Sequence, residues 1–99
     1  MSPKTLGGVV IAKYGIRTWW HVQRVLIAFG TGARTLGREP SHREVGAIAY
    51  AGAVATLSRD MHSFKKVFPG RTPYEVWCEL EAGPRVAPAD AVLNARWSW

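Results

Sequence analysis

The residues best suited to binding chemistry lie together in one short stretch of the chain, residues 56–68. A polar set recurs at i, i+3, i+4 and i+7 and consists of Arg59, His62, Ser63 and Lys66. An apolar set recurs at i, i+4, i+7 and i+11 and consists of Leu57, Met61, Phe64 and Phe68. Both spacings follow a helical period, so this stretch predicts a helix with one buried and one polar face. An outward polar helix of this width fits the major groove of DNA.

The sequence gives little support for catalysis or metal binding. His21, His42 and His62 stand about twenty residues apart, which is not a metal-ligand spacing. Cys78 is the only cysteine and lies among three glutamates, whose charges disfavour a reactive thiolate. We therefore expect no enzyme activity, no metal and no cofactor, and a reducing, cytoplasmic environment.

Charge is distributed unevenly along the 99 residues, whose formal net charge is +6. Residues 1–38 carry six Lys or Arg and no acid, whereas residues 39–81 carry five bases and six acids. Such a block suggests attraction to a polyanion, either nucleic acid or the surface of an acidic membrane. No apolar run approaches the ~20 residues that span a bilayer. Peripheral membrane binding by residues 1–29 therefore stays open as an alternative.

A first helix is predicted over residues 18–29. Its apolar face consists of Trp19, Val22, Leu26 and Phe29. Thr18 provides a capping side chain, and Gly30 and Gly32 are expected to end the helix. Residues 30–40 are then expected to form a connector.

Two further helices follow a pair of sequence signals that mark helix starts. Residues 41–52 open with a capping box, in which Ser41 accepts the amide of Glu44 and Glu44 reaches back to the amide of Ser41. The buried stripe of this helix is predicted to be Val45, Ile48 and Ala49. Thr56 is the expected N-cap of the helix over residues 56–68. The two helices and their short joint at residues 52–55 form a helix-turn-helix candidate.

The remaining helix is predicted over residues 72–82, again from a capping box, formed by Thr72 and Glu75 with Pro73 at the first helical position. Its buried side is expected to consist of Val76, Trp77 and Leu80. The fold class is therefore all-α, a small helix-turn-helix bundle with loose N- and C-terminal tails. We divide the chain into a basic N-terminal segment (1–17), a helix-turn-helix domain (18–82) and a C-terminal tail (83–99).

Several residues of this region also match a family pattern in order and spacing. They are Ile48-Ala49, Ser58, Phe64-Lys65-Lys66, Phe68 and Thr72-Pro73. In AraC/XylS-type transcriptional regulators, an Ile-Ala pair, a Ser, Phe-Lys-Lys/Arg and Phe-Gly-x-Thr-Pro follow one another in this way. Residues 45–68 therefore resemble the second helix-turn-helix of that family, and the resemblance extends over residues 20–77, about half of a DNA-binding domain.

The resemblance implies roles for the residues of the second helix. Ser58, Arg59 and His62 match the positions that contact base edges, and Arg59 would fork to guanine O6 and N7. Lys65 and Lys66 would lie near phosphates, and Ser63 shares their polar face. These six residues form the predicted DNA-binding set. The implied partner is DNA, a homodimer is left open, and no small-molecule effector is expected.

The chain also departs from the family pattern. Ala53-Val54 stand where the family has Gly-Phe, so Gly52 is expected to take over the left-handed turn conformation. Asp60 occupies an aromatic core position, and Pro69 is an extra residue. These departures favour an alternative: a truncated helical interaction module that no longer binds DNA. In that reading Arg59 and Asp60 form a solvated pair.

Overall fold

The structure, a computed structural model, describes residues 5–82, and the predicted C-terminal tail (83–99) lies outside this range. Within it the chain forms α-helices and no strand, which confirms the all-α prediction. The helices are α1 (Leu6–Tyr14), α2 (Ile16–Leu36), α3 (His42–Ala49), α4 (Val54–Val67) and α5 (Pro73–Ala82).

Helix α2 is the centre of the bundle. It is 21 residues long, and each of the other four helices packs against it. Its side chains supply much of the core, including the fully buried Trp19, Val22, Val25 and Leu26. The predicted apolar face of this helix is therefore confirmed. Burial of apolar side chains of this size contributes about 1.5–3 kcal/mol each.

The predicted end of this helix at Gly30 and Gly32 is wrong, because both glycines lie inside α2. Their lack of a side chain leaves room for neighbouring side chains and does not end the helix. A Cβ atom on Gly30 would lie 2.3 Å from Nε1 of Trp77, and one on Gly32 would lie 3.0 Å from the ring of Pro40. The helix ends instead at Gly37, whose φ of 71° is the left-handed conformation of a helix C-cap. The connector is correspondingly shorter than residues 30–40.

The N-terminal segment contains the helix α1, which is not predicted from the sequence. The hydroxyl of Thr5 accepts a hydrogen bond from the amide of Gly8 at 2.9 Å and caps α1. Val10 is 2% exposed and belongs to the core. From Thr5 onward this segment is therefore packed against α2.

The start of α3 follows the prediction, and its buried face does not. Both hydrogen bonds of the capping box between Ser41 and Glu44 are present. Val45 is fully buried, but Ile48 is 37% exposed and Ala49 is also exposed, so the predicted stripe is wrong in two of three positions. Tyr50, just after the helix, turns inward in their place and is 8% exposed.

The joint between α3 and α4 uses two left-handed residues, Ala51 (φ 51°) and Gly52 (φ 80°). Gly52 thus takes the conformation expected of it. Helix α4 then begins at Val54, two residues before the predicted N-cap Thr56, and Ala53 precedes it without a side-chain cap. The prediction of Thr56 as N-cap is wrong because the turn is complete at Gly52, so the helix begins before Thr56.

Helix α5 follows its predicted start. The amide of Glu75 donates to the hydroxyl of Thr72 at 3.1 Å. The carboxylate of Glu75 binds Arg71, so only one half of the expected box is among the hydrogen bonds of the described residues. Val76 is buried, and Trp77 and Leu80 are partly buried against the core.

Candidate nucleic-acid interface

Helix α4 is held by its apolar stripe, which leaves its polar face outward. Leu57, Met61 and Phe64 are at most 7% exposed and belong to the common core with α2. Phe68 is partly buried and packs against Phe64 at 5.2 Å between ring centroids. The predicted apolar set is therefore confirmed, and it fixes which side of α4 faces solvent.

The six residues of the predicted DNA-binding set do not share one environment. Five of them are exposed: Ser58, Arg59, His62, Lys65 and Lys66. Ser63 is only partly exposed, and its hydroxyl lies 2.9 Å from Nδ1 of His21 on α2. Ser63 is thus drawn toward the bundle, whereas the other five form a continuous outer surface.

Three of the five exposed residues border a groove between α3 and α4. The groove has a volume of about 610 Å³. Its lining consists of His42, Arg43, Val54, Leu57, Ser58, Met61, His62 and Lys65. None of these eight side chains is acidic, so the groove combines an apolar floor with a basic edge.

The basic side chains at this edge have no acidic partner among the described residues. Within the described residues, Arg43, His62 and Lys65 make no hydrogen bond and no ion pair. His42 packs its ring edge-on against Phe29, with 5.4 Å between centroids. We call Arg43, His62, Lys65 and Lys66 the free basic surface, because all four are exposed and none faces a carboxylate.

The opposite side of α4 carries a buried carboxylate. Asp60 is 0% exposed, so the alternative of a solvated Arg59–Asp60 pair is wrong. The hydroxyl of Tyr50 donates to its Oδ2 at 2.9 Å, and Nε of Arg24 lies 3.3 Å from the same atom. Nε of Arg59 lies 3.8 Å from Oδ1.

The carboxylate of Asp60 on α4 thus binds both α2, through Arg24, and the end of α3, through Tyr50. Burial, and then the hydrogen bond to Asp60, raise the pKa of Tyr50 above its usual value, so its hydroxyl keeps its proton and remains a donor. The guanidinium of Arg24 also lies over the ring of Tyr50, 5.7 Å from its centroid. We call Asp60, Tyr50, Arg24 and His21 the Asp60 cluster.

Ser63, His21 and Asp60 lie in a row and are the residue types of a nucleophilic triad. Nε2 of His21 is 3.9 Å from Oδ1 of Asp60, beyond hydrogen-bond distance. Ser63 lies in the middle of α4, where the neighbouring amides are bonded along the helix and are not available to stabilise an oxyanion. We interpret the row as a structural link between α2 and α4.

Folding pairs most of the arginines of the acid-free block with acids from later in the chain. Arg24 faces Asp60, Arg34 lies 3.2 Å from Glu81, and Arg38 lies 2.6 Å from Glu44. Hydrogen bonds from Arg38 and then from Ser41 lower the pKa of Glu44 to about 2. Three of the six bases of the first third are therefore paired with acids within the bundle.

The resemblance puts Asp60 at a core position without predicting its partners, and nothing in the sequence predicts the contribution of α3 to the groove. The spacing also gives a signal for its burial: Asp60 lies three residues after Leu57 and four before Phe64, so helical spacing places it between two core residues. The sequence carries no local signal for the contribution of α3 to the groove, because His42 and Arg43 lie near α4 only in the folded protein.

Comparisons of the chain with protein-family models, with curated proteins and with solved structures found no match. Among the described residues, no helix is long and apolar enough to cross a membrane. The same part of the chain contains no group of three or more His, Cys, Asp or Glu able to hold a metal ion.

Proposed function

We propose that the protein binds double-stranded DNA and regulates transcription through a single AraC-like helix-turn-helix. In this proposal α4 enters the major groove, and the start of α3 lies along the phosphate backbone. The observation that supports it is the free basic surface, whose Arg and Lys cations are exposed and have no acidic partner among the described residues. Such cations gain most from phosphate contacts, because no intramolecular ion pair has to be broken first.

The division of roles follows from position on α4. Ser58, Arg59 and His62 lie in the first two-thirds of the helix and would contact base edges, with Arg59 reading guanine. Lys65 and Lys66 lie in the last turn and would contact phosphates. The side chain of Arg59 is 61% exposed, with its Nε 3.8 Å from Oδ1 of Asp60, and would contact DNA from this position.

A single reading unit limits affinity. We expect a Kd of roughly 10⁻⁴ to 10⁻⁶ M at physiological salt, the range of mainly electrostatic binding. A homodimer with two reading helices would bind more tightly, since both would contact the same duplex.

The proposal is tested by titrating a labelled duplex with the full chain at several salt concentrations. Affinity should fall steeply as salt rises, because each phosphate contact releases a counterion. Arg59→Ala should reduce the preference between duplexes of different sequence by about 1–3 kcal/mol, whereas Lys66→Ala should weaken all duplexes alike. Affinity that does not change with salt, measured on protein shown to be helical by circular dichroism, would favour the helical interaction module instead.

A further inference from the structure

The groove between α3 and α4 has the composition of a site for an amphiphilic ligand. Its floor is apolar and is formed by Val54, Leu57 and Met61. Its edge carries His42, Arg43, His62 and Lys65. The volume of about 610 Å³ lies within the range of roughly 300–1,000 Å³ that is usual for small-molecule sites.

Against the expectation of no small-molecule effector, we propose that this groove binds a small amphiphilic carboxylate, with an aliphatic tail on the floor and its carboxylate at the basic edge. The site goes beyond DNA binding and does not depend on it. Charge complementarity selects the anion, since the lining contains cations and no acid. The apolar floor selects against a short anion, which would leave that surface in contact with water.

The floor is suited to a flexible tail. Val54 is 59% exposed although its side chain is apolar, so covering it removes hydrophobic surface from water. The unbranched side chain of Met61 adapts to ligands of different shape.

The edge is suited to one carboxylate. Arg43 at the start of α3 and Lys65 near the end of α4 approach the groove from different helices. Neither has an acidic partner among the described residues, so neither must give up an ion pair to bind the ligand. A neutral ligand of the same length would lose this attraction.

The groove lies beside the predicted DNA-binding set, so a bound ligand would affect DNA binding if the proposed function holds. Ser58, His62 and Lys65 border the groove and also belong to the DNA-binding set. An occupied groove would cover these side chains and neutralise Lys65. The carboxylate and DNA should therefore compete.

The test uses decanoate, titrated into the full-length ¹⁵N-labelled protein without DNA and followed by amide chemical shifts. Shifts should be confined to the groove and saturate, whereas decanol and acetate should bind more weakly. Lys65→Glu should weaken decanoate binding about fivefold or more, the effect of removing one ion pair of about 1 kcal/mol. Lys66→Glu is the matched control, since Lys66 is exposed on the same helix and does not line the groove.

Shifts spread over the whole surface, decanol binding as tightly as decanoate, or equal losses in the two lysine variants would each overturn the proposal. Because no DNA is present, its failure is distinct from failure of DNA binding. A second titration, of a protein–duplex mixture with decanoate, then tests the competition alone: release of the duplex supports it, and unchanged duplex binding contradicts it.

Discussion

The Asp60 cluster and the free basic surface lie on opposite sides of the same helix and use their charges differently. In the cluster, the guanidinium of Arg24 and the hydroxyl of Tyr50 approach a carboxylate that is 0% exposed. On the free basic surface, basic side chains of α3 and α4 are exposed, and no carboxylate of the described residues pairs with them. The charges of the Asp60 cluster stabilise the fold, whereas those of the free basic surface are available to a ligand.

This difference changes what the charge pattern of the chain means. The acid-free first third carries six bases, yet Arg24, Arg34 and Arg38 each face a carboxylate from later in the chain. Residues 41–68 contain four Lys or Arg against two acids, and three of those four cations stay unpaired. In the described part of the first third, Lys13 and Arg17 also make no ion pair, so the stretch with the smaller excess in sequence presents no less unpaired charge than the acid-free block.

The largest expected effect is on stability, from Asp60→Ala. This change leaves the hydroxyl of Tyr50 buried without its acceptor and removes the charge beside Arg24. We expect a loss of about 3 kcal/mol in the free energy of unfolding, measured by urea denaturation and circular dichroism. Ser58→Ala, on the exposed side of α4, is the control and should change stability by less than about 0.5 kcal/mol. Similar losses in the two variants would contradict the distinction between the two sides.

Tyr50→Phe should lower the free energy of unfolding by less than Asp60→Ala, and it tests the Asp60 cluster by removing a single hydrogen bond. The substitution keeps the ring beneath Arg24 and removes only the hydrogen bond to Asp60. Bonds to charged groups contribute about 1.5–3 kcal/mol, so a loss near the lower limit is expected. In the Asp60→Ala background the same substitution should cost much less. Additive losses would show that the hydroxyl does not act through Asp60.

The smallest effect concerns the exposed pair Arg38–Glu44. The pKa of Glu44 is lowered to about 2, so the pair contributes stability above the unfolded value of about 4.3 and loses it as pH falls through 2. Glu44→Gln should therefore make the midpoint of thermal unfolding depend less on pH between 5 and 2. A parallel acid response in the variant and the unchanged protein would assign that response to other carboxylates.

Local signals predicted most of the helices. The capping box at Ser41 and the apolar spacing of α4 depend only on neighbours in sequence, and both are present in the structure. The errors at Gly30 and Gly32 have another origin. Whether a glycine ends a helix or admits a neighbour depends on Trp77 and Pro40, which arrive only on folding.

The exposed residues of the candidate site could be predicted from the sequence, but its contacts between helices could not. Helical spacing identified the exposed residues of α4, since their positions follow from its apolar stripe. It did not reveal that Ser63 bonds to His21, nor that Arg24 is paired with Asp60. Both are contacts between α2 and α4, which no local pattern encodes.

The central claim is that DNA meets the free basic surface and not the paired cations. It is tested most directly by the salt dependence of duplex binding in two variants, Lys65→Ala and Arg34→Ala. Each variant removes one exposed cation, but within residues 5–82 only Arg34 of the two has a carboxylate partner, Glu81.

Lys65→Ala should reduce the slope of log K against log salt by about 0.9, the value for one lost phosphate contact, and Arg34→Ala should leave it unchanged. An equal reduction in both variants, or a reduction in Arg34→Ala alone, would contradict the account.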